Sequence, residues 1–298
     1  MTQATADIYE RITAQIIEAI EAGAGSYRMP WHVTNADVFA PVNAAADRRY
    51  RGINVLVLWA AAQHHGFASG FWATYRQWQE LGAQVRKGEK ATPVVFWTVP
   101  ESDRGESTDE AGAEKEKPSR GIFARGYSVF NSDQVDGYTR PERPVLPESE
   151  RIAAAEKCFS AVGATVRHGG GVACYNPAED LIYIPEFSSF RDAACYYSTL
   201  GHEATHWTGA PHRLNRDTPS RFGSEGYAME ELVAELGAAF LCTTLGIANE
   251  PRPDHAAYIA SWLDVLRQNK RAIFTAASQA QKAVDWMTEQ GEHQAKAA

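Results

Sequence analysis

Residues 202–206 read His-Glu-Ala-Thr-His, and this pattern constrains the fold more than any other short stretch of the chain. On a helix, side chains four residues apart share a face, so His202 and His206 can point at the same place. Glu203 follows His202 by about 100° around the helix axis. The preceding residues, AACYYSTL, are largely apolar and predict partial burial. We therefore predict a helix over residues 190–207 that carries two imidazoles and one carboxylate.

The pattern His-Glu-x-x-His is typical of the zinc sites of hydrolases. Its histidines are metal ligands, and its glutamate takes a proton from a water molecule whose pKa the metal lowers. We predict His202 and His206 as metal ligands, Glu203 as the catalytic base and zinc as the cofactor, with manganese or cobalt as alternative metals. The competing interpretation is a surface helix with unrelated histidines.

A third ligand is expected from the next helix, which the sequence predicts over residues 225–246. Glu231 and Glu235 lie one turn apart there, beside an apolar face. We predict Glu231 as the third ligand and Glu235 as the partner of the second ring nitrogen of a ligand histidine. Two alternatives remain open. The third ligand could be Glu235 or Glu230 instead, or these glutamates could simply form a solvent-exposed face of the helix.

His212 is a further candidate for the third ligand. Together with Gly209 it completes the longer metzincin pattern that starts at His202. A metzincin also needs a methionine in a following turn, and Met229 falls at the start of a predicted helix. We therefore prefer the glutamate.

Charge is distributed unevenly along the chain. The formal net charge is −8, which argues against general nucleic-acid binding, yet residues 48–97 contain seven basic and two acidic side chains. Aromatic residues alternate with the basic ones, as in proteins that stack nucleobases on rings and contact phosphates with Lys and Arg. The predicted nucleic-acid-binding residues are Arg48, Arg49, Arg51, Trp72, Tyr75, Arg86, Lys87 and Lys90. The alternative assigns the aromatic residues to the core, and its main candidates are Trp59, Trp78 and Trp97.

Residues 101–120 contain no large apolar side chain, so we predict a mobile acidic loop there. The loop separates two predicted strands of one sheet, near residues 94–99 and 121–131.

The Pro-rich and charged residues 139–150 predict a linker between two domains. We expect an α+β fold, with a small mixed sheet and helices over residues 1–138 and a mostly helical domain with a short sheet over residues 151–298. No stretch approaches the roughly 18–20 apolar residues of a membrane span, and no secretory signal is visible at the N-terminus. We therefore expect a cytoplasmic protein with no membrane partner.

The longest distinctive strings are FWATYRQWQELGAQVRKGEKATPVVFW, YSVFNSDQ, YNPAEDLIYIP, LGHEATHWTG, HRLNR and YAMEELVAELGAAFL. Through these strings nearly the whole chain resembles ArdC-type antirestriction proteins of conjugative plasmids. The resemblance implies an N-terminal single-stranded-DNA-binding domain, shared with TraC-type primases, and a C-terminal zincin-like domain of the zinc metallopeptidase type.

The resemblance further implies that the protein binds single-stranded DNA and shields incoming plasmid DNA from host restriction enzymes. It implies a gluzincin-type arrangement, which favours Glu231 over His212 beside His202, Glu203 and His206. Proteins of the host restriction system are further candidate partners. Two alternatives stay open: a DNA-binding protector with a structural or vestigial metal site, and a metallopeptidase whose N-terminal domain recognises protein.

Overall fold

The computed structural model describes residues 3–25, 29–32, 40–98, 123–141, 148–216, 224–249 and 256–297. Its helices are α1 (Gln3–Ala24), α2 (Ile53–His65), α3 (Tyr75–Glu80), α4 (Glu148–Val162), α5 (Ala193–Thr208), α6 (Glu225–Leu245), α7 (Ala256–Gln268) and α8 (Ala272–Ala297). Its strands are β1 (Val42–Asn43), β2 (Arg48–Arg49), β3 (Phe71–Thr74), β4 (Gln84–Val85), β5 (Thr92–Thr98), β6 (Phe123–Asn131), β7 (Val135–Asp136), β8 (Thr165–His168), β9 (Cys174–Asn176) and β10 (Leu181–Ile184). The predicted α+β class is confirmed.

A five-stranded mixed sheet forms the N-terminal half, in the order β2-β1-β3-β6-β5. Strands β5 and β6 pair antiparallel from Thr92 opposite Val129 to Thr98 opposite Phe123, which confirms the predicted strand pair. The predicted acidic loop over residues 101–120 lies outside the described residues. The short strands β1, β2 and β3 were not predicted, because two to four residues are too few to show an alternating pattern.

Helix α2 fixes the edge of this sheet to the rest of the molecule. Its sequence, INVLVLWAAAQHH, is apolar nearly all round, as expected of a helix buried on every side. The amide of Asn54 bonds the backbone of β5 twice, donating to the Val95 carbonyl at 2.7 Å and accepting from the Val95 N–H at 2.8 Å. The helix ends at Gly66, whose φ of 69° suits glycine.

A smaller sheet of order β8-β10-β9 lies in the C-terminal half. Strand β10 pairs parallel with β8 and antiparallel with β9, which leaves β9 as an edge strand beside α5. Residue Asp180 takes a left-handed conformation, with φ of 54°, in the turn that joins β9 to β10.

The two halves share their largest buried apolar cluster. It contains Ile12 of α1 and Trp59 of α2 together with Leu236 of α6 and Ile273 of α8. Helix α8 also contacts the N-terminal half through polar groups, since Gln281 Oε1 accepts the Gly52 N–H at 3.1 Å. The two halves therefore pack against each other through a continuous core. The division of the chain into two domains stays a prediction.

The predicted linker, residues 139–150, overlaps a helix at its end. Helix α4 begins at Glu148, and residues 142–147 lie outside the described residues. Within the described parts of the chain, no helix is both long and apolar enough to cross a membrane.

Candidate metal centre and nucleic-acid interface

Helix α5 begins at a side-chain cap. The carboxylate of Asp192 accepts a hydrogen bond from the Cys195 N–H at 2.8 Å, which satisfies an amide of the first turn. Most of the helix is buried from there to Thr208. His202 and His206 lie one turn apart, and their Nε2 atoms are 3.1 Å from each other. Both imidazoles therefore present the same nitrogen to one place.

Helix α6 brings a carboxylate to that place. Glu231 has its Oε2 atom 3.5 Å from His202 Nε2 and its Oε1 atom 3.6 Å from His206 Nε2. The glutamate is buried, with 7% of its surface exposed. Among the described residues, these three side chains form the group whose donor atoms could hold a metal ion.

The spacing of the donor atoms fits a divalent metal. Zinc binds nitrogen and carboxylate oxygen at about 2.0–2.2 Å, so a tetrahedral site holds its donors about 3.3 Å apart. The three observed separations, 3.1, 3.5 and 3.6 Å, lie close to this value. Imidazole and carboxylate donors also suit other first-row divalent metals. The residues present therefore fit the kind of metal that the sequence pattern implies.

One glycine, Gly237, allows α5 and α6 to approach closely at the centre. A Cβ atom on Gly237 of α6 would lie 2.6 Å from Thr205 Cγ2 and closer still to Thr205 Oγ1. Thr205 cannot turn away without loss, because its hydroxyl donates to the Gly201 carbonyl at 2.7 Å. Gly201 has more room, with the nearest side-chain atom 3.5 Å from a Cβ built there. Only glycine at position 237 permits the observed helix separation.

A further carboxylate contacts the Nδ1 atom of each of the two histidines. Glu235 Oε1 is 3.0 Å from His202 Nδ1, and Glu230 Oε1 is 3.2 Å from His206 Nδ1. Such contacts fix the ring orientation and raise the basicity of the coordinating nitrogen. The structure places Glu235 where the sequence predicted it. Glu230 has the same relation to the other histidine, a role that the sequence did not indicate.

The Glu230 carboxylate is held in turn by a buried arginine. Arg216 NH2 donates to Glu230 Oε1 at 2.8 Å and its Nε donates to Oε2 at 3.2 Å. The same guanidinium donates to Thr208 Oγ1 at 2.8 Å and to the Thr205 carbonyl. A Cβ atom on Gly209 would lie 2.9 Å from the Arg216 NH2 atom. The glycine of the metzincin-like string therefore makes room for a guanidinium.

Two carboxylates of α6, those of Glu230 and Glu231, are held in their charged form. Burial raises the pKa of Glu231, but the hydrogen bond from His202 and the charge of His206 outweigh it, so the pKa lies below its usual value. Burial likewise raises the pKa of Glu230, which contacts with His206 and Arg216 bring below the usual value. A charged, buried carboxylate pair is an environment that attracts a cation.

Tyr227 is a neighbour of this centre that the sequence did not indicate. Burial raises the pKa of its phenol, and hydrogen bonding to Tyr258 and the charge of Glu231 raise it further. The hydroxyl therefore stays protonated and remains a hydrogen-bond donor beside the Glu231 carboxylate.

Glu203 faces the edge strand β9. Its Oε2 atom accepts a hydrogen bond from the Tyr175 N–H at 2.9 Å, and 6% of the residue is exposed. Strand β9 thereby fixes the carboxylate that the sequence predicts as the catalytic base. The Tyr175 hydroxyl donates to Asp180 Oδ1 at 2.9 Å, which ties the strand to the turn that follows it.

His212 lies away from the ligand group. Its Nε2 atom is 3.4 Å from Asp180 Oδ2, and its side chain is 63% exposed. The neighbouring Arg213 stacks on Trp207, 3.7 Å above the ring centre, and also donates to Asp180. The metzincin alternative would require His212 to join His202 and His206, and the geometry does not bring them together.

Comparison with known proteins gives the family. Models of the N-terminal domain of anti-restriction factor ArdC and of a zincin-like metallopeptidase match residues 6–130 and 153–279. The metal-free crystal structure of the antirestriction ArdC protein from plasmid R388 is 40% identical, with a TM-score of 0.76, and the match covers 96% of this chain and 98% of that one. Protein y4eC of Sinorhizobium fredii is 55% identical over 96% of this chain and 92% of its own length. The chain belongs to the ArdC antirestriction family. The resemblance stated from the sequence is confirmed.

Two further matches concern a metal-bound structure of the R388 protein and a longer primase. The R388 protein has a Mn(II)-bound structure, which is 39% identical with a TM-score of 0.74 over 95% of this chain and 97% of that one. The DNA primase TraC of Escherichia coli is 38% identical over 96% of this chain, but the chain spans only 27% of that primase. The C-terminal half of this ArdC family member is zincin-like, and the R388 protein of the same family has been crystallised with Mn(II).

The predicted nucleic-acid-binding residues other than Trp72 lie on two separate surfaces. Arg48, Arg49 and Arg51 line a cleft between the N-terminal half and α8, whereas Tyr75, Arg86 and Lys87 line a second depression. Lys90 is exposed and follows Arg86 and Lys87 closely in the sequence. We call Arg86, Lys87 and Lys90 the basic turn. Single-stranded nucleic acid thus has two candidate sites, which the sequence combined into one.

The prediction of Trp72 as a stacking platform is wrong. Its side chain is fully buried in β3, with 0% exposure, and packs against Phe67. The expectation that Trp97 belongs to the core is also wrong, because 49% of it is exposed at the edge strand β5. Trp59 and Trp78 are buried, as the alternative interpretation expected. Edge position, which a single sequence does not show, decides which aromatic residues face solvent.

Proposed function

We propose that this protein binds single-stranded DNA and protects incoming plasmid DNA from host restriction enzymes in the cytoplasm, and that its C-terminal half carries a metal-dependent peptidase centre. The observation that carries the peptidase part is the convergence of His202 Nε2, His206 Nε2 and the Glu231 carboxylate. Family membership supports the antirestriction part.

His202, His206 and Glu231 would hold the metal, which we assign as zinc. Such a metal polarises a carbonyl and lowers the pKa of a bound water molecule. Glu235 and Glu230 orient the two histidines through their Nδ1 atoms. The ligands therefore need little rearrangement to bind, which limits the cost of forming the site.

Glu203 is the base that accepts a proton from the attacking water in this proposal. General-base catalysis of this kind contributes roughly 10²–10⁴-fold to a rate. The Tyr175 N–H holds one carboxylate oxygen of Glu203. In this proposal the other oxygen would accept the proton. Replacing Glu203 with Gln keeps an oxygen that can accept from Tyr175 but removes the basic group.

The test of the peptidase part is a restriction-protection assay during plasmid transfer into a restricting host. It compares wild type, Glu203→Gln and the exposed control Glu186→Gln, with metal content measured by mass spectrometry on each purified protein. We expect Glu203→Gln to retain metal and lose protection, while Glu186→Gln behaves as wild type. Full protection by a metal-loaded Glu203→Gln protein would show that peptidase action is not the mechanism.

That outcome would favour the alternative in which the protein protects by occupying DNA and the metal is structural. Oligonucleotide binding separates this alternative from a peptidase whose N-terminal half recognises protein. Binding that weakens as salt rises indicates phosphate contacts, because bound cations are released from the strand. No binding at low salt would refute the DNA-binding part.

We expect zinc in protein that is purified without added metal. Manganese in the same preparation would show that the assignment of zinc is wrong.

A further inference from the structure

A cleft of about 730 Å³ lies between the N-terminal half and helix α8. One wall comes from β2 and the residues after it, a second from the edge strand β5, and a third from α8. The side chains that define its chemistry are Arg48, Arg49, Phe96, Trp97 and Lys282. The cleft is therefore built by both halves of the chain.

The cleft is positively charged. Among the described residues that line it there are four basic side chains and no Asp or Glu. Arg48, Arg49 and Lys282 are exposed and have no ion-pair partner within the described parts of the chain. Arg51 differs, because it is paired with Asp285 of α8 and so joins the two walls. Three cationic groups thus remain available for an anionic ligand.

The cleft also exposes aromatic rings. Phe96 is 43% exposed and Trp97 is 49% exposed, although both rings are large enough to favour burial. Each ring is supported by another: Trp97 lies 6.1 Å from Tyr9, and Phe96 lies 6.5 Å from Tyr50, measured between ring centres. The rings are therefore braced by neighbouring rings while about half of each residue stays exposed to solvent, which leaves surface on which a nucleobase can stack.

We propose that single-stranded DNA binds in this cleft. Nucleobases stack on Trp97 and Phe96, and phosphates contact Arg48, Arg49 and Lys282. The inference rests on the proposed binding of single-stranded DNA, and it adds where the strand lies and that α8 of the C-terminal half contributes to the site.

The basic turn is the less suitable of the two surfaces. Its Arg86 is already engaged, at 2.9 Å from Glu89 and 3.6 Å from Asp136, and it also donates to the Asp133 carbonyl. These carboxylates offset the local positive charge. The basic turn therefore serves as the matched control for the cleft.

The test measures binding of an oligothymidylate of about 15 nucleotides, a length within the range of single-strand sites. Fluorescence anisotropy over a series of salt concentrations compares three proteins. They are wild type, the cleft variant Arg48→Ala/Arg49→Ala/Lys282→Ala, and the turn variant Arg86→Ala/Lys87→Ala/Lys90→Ala. We expect the cleft variant to bind more weakly. Each phosphate contact contributes about 0.7 to the magnitude of the slope of log K against log salt, so loss of three contacts should reduce that magnitude by about 2. The turn variant should retain the wild-type slope.

A stacking variant tests the aromatic part separately. Trp97→Ala should weaken binding roughly five- to a hundredfold, and Trp97→Phe should restore most of the affinity. With an abasic strand of the same length, the effect of Trp97→Ala should disappear because no nucleobase is present to stack. Melting temperatures of all variants control for loss of fold.

The outcomes distinguish this inference from the proposed function. If the wild-type protein binds no oligonucleotide, the proposed DNA binding itself is refuted. If the wild type binds and the turn variant alone is impaired, or if Trp97→Ala weakens abasic and normal strands equally, the cleft assignment is wrong while DNA binding stands.

Discussion

The substitution Gly237→Ala tests whether the contact between α5 and α6 sets the geometry of the metal centre. The new Cβ atom would lie 2.6 Å from Thr205 Cγ2, whereas carbon atoms pack best at about 3.5–4.0 Å. The two helices must therefore separate by about 1 Å, or Thr205 must rotate and lose its bond to the Gly201 carbonyl. Overpacking of this kind costs about 1–3 kcal/mol, which the helix preference of Ala over Gly offsets by at most about 1 kcal/mol.

We expect Gly237→Ala to lower the melting temperature by several degrees. In chains of somewhat smaller size, a loss of about 1 kcal/mol in stability lowers the melting temperature by about 2–4 °C. Metal affinity should fall as well, because His202 and His206 lie on α5 and Glu231 lies on α6. A functional site tolerates displacements of only about 0.5 Å. Differential scanning calorimetry and titration calorimetry with Zn²⁺ and Mn²⁺ measure the two effects.

The control is Gly201→Ala at the same helix interface. Its Cβ atom would make ordinary contacts of 3.5 Å and 3.6 Å with Leu241 and Ala238, so stability should stay equal or rise slightly. The double variant Thr205→Ala/Gly237→Ala should recover only part of the metal affinity, because it removes the two nearest atoms, Oγ1 and Cγ2, but leaves the Cβ atom of residue 205 at 3.0 Å. Wild-type stability and metal affinity in Gly237→Ala would refute the reasoning.

Three further predictions follow from the same network. Arg216→Met should reduce metal affinity about 10- to 100-fold by freeing Glu230 from its position behind His206, with Arg216→Lys less affected, as measured by titration calorimetry. Chelation should lower the melting temperature, since a metal at 100 times its dissociation constant adds about 2.7 kcal/mol to the stability of the fold that binds it. Hydrogen bonding to Arg213 lowers the pKa of Asp180 to about 2, so its contribution to stability is full above about pH 4 and is lost as pH falls through about 2. The difference in urea midpoint between wild type and Asp180→Asn should shrink over that range.

Much of the metal centre could be predicted because its parts are local in sequence. His202, Glu203 and His206 lie on one turn of a helix, and helical periodicity alone places them together. The choice of Glu231 needed a second helix whose packing angle the sequence does not give. Glu230 illustrates the limit, since its role depends on Arg216, which approaches α6 only through the turn after α5.

The proposed nucleic-acid surface was harder to predict because it is assembled from distant segments. Arg48 and Lys282 are separated by most of the chain, and nothing in either local sequence connects them. The exposure of Trp97 and the burial of Trp72 depend on the strand order β2-β1-β3-β6-β5, which puts β5 at an edge and β3 in the interior. Composition located the basic and aromatic region, and only the topology decided which of its residues face the cleft.

The electrostatics of the C-terminal half support the proposed binding of a cation. Four carboxylates, those of Glu203, Glu230, Glu231 and Glu235, are between 3% and 7% exposed, and Arg216 is the buried guanidinium beside them. Burying charge is costly unless an opposite charge or hydrogen bonds compensate, and here Arg216 and the two histidines supply part of that compensation. A divalent ion bound by His202, His206 and Glu231 would bring the local charge close to neutrality. The contacts that keep Glu230 and Glu231 charged therefore also keep their carboxylates suited to a metal, which links the packing of α6 to the proposed chemistry.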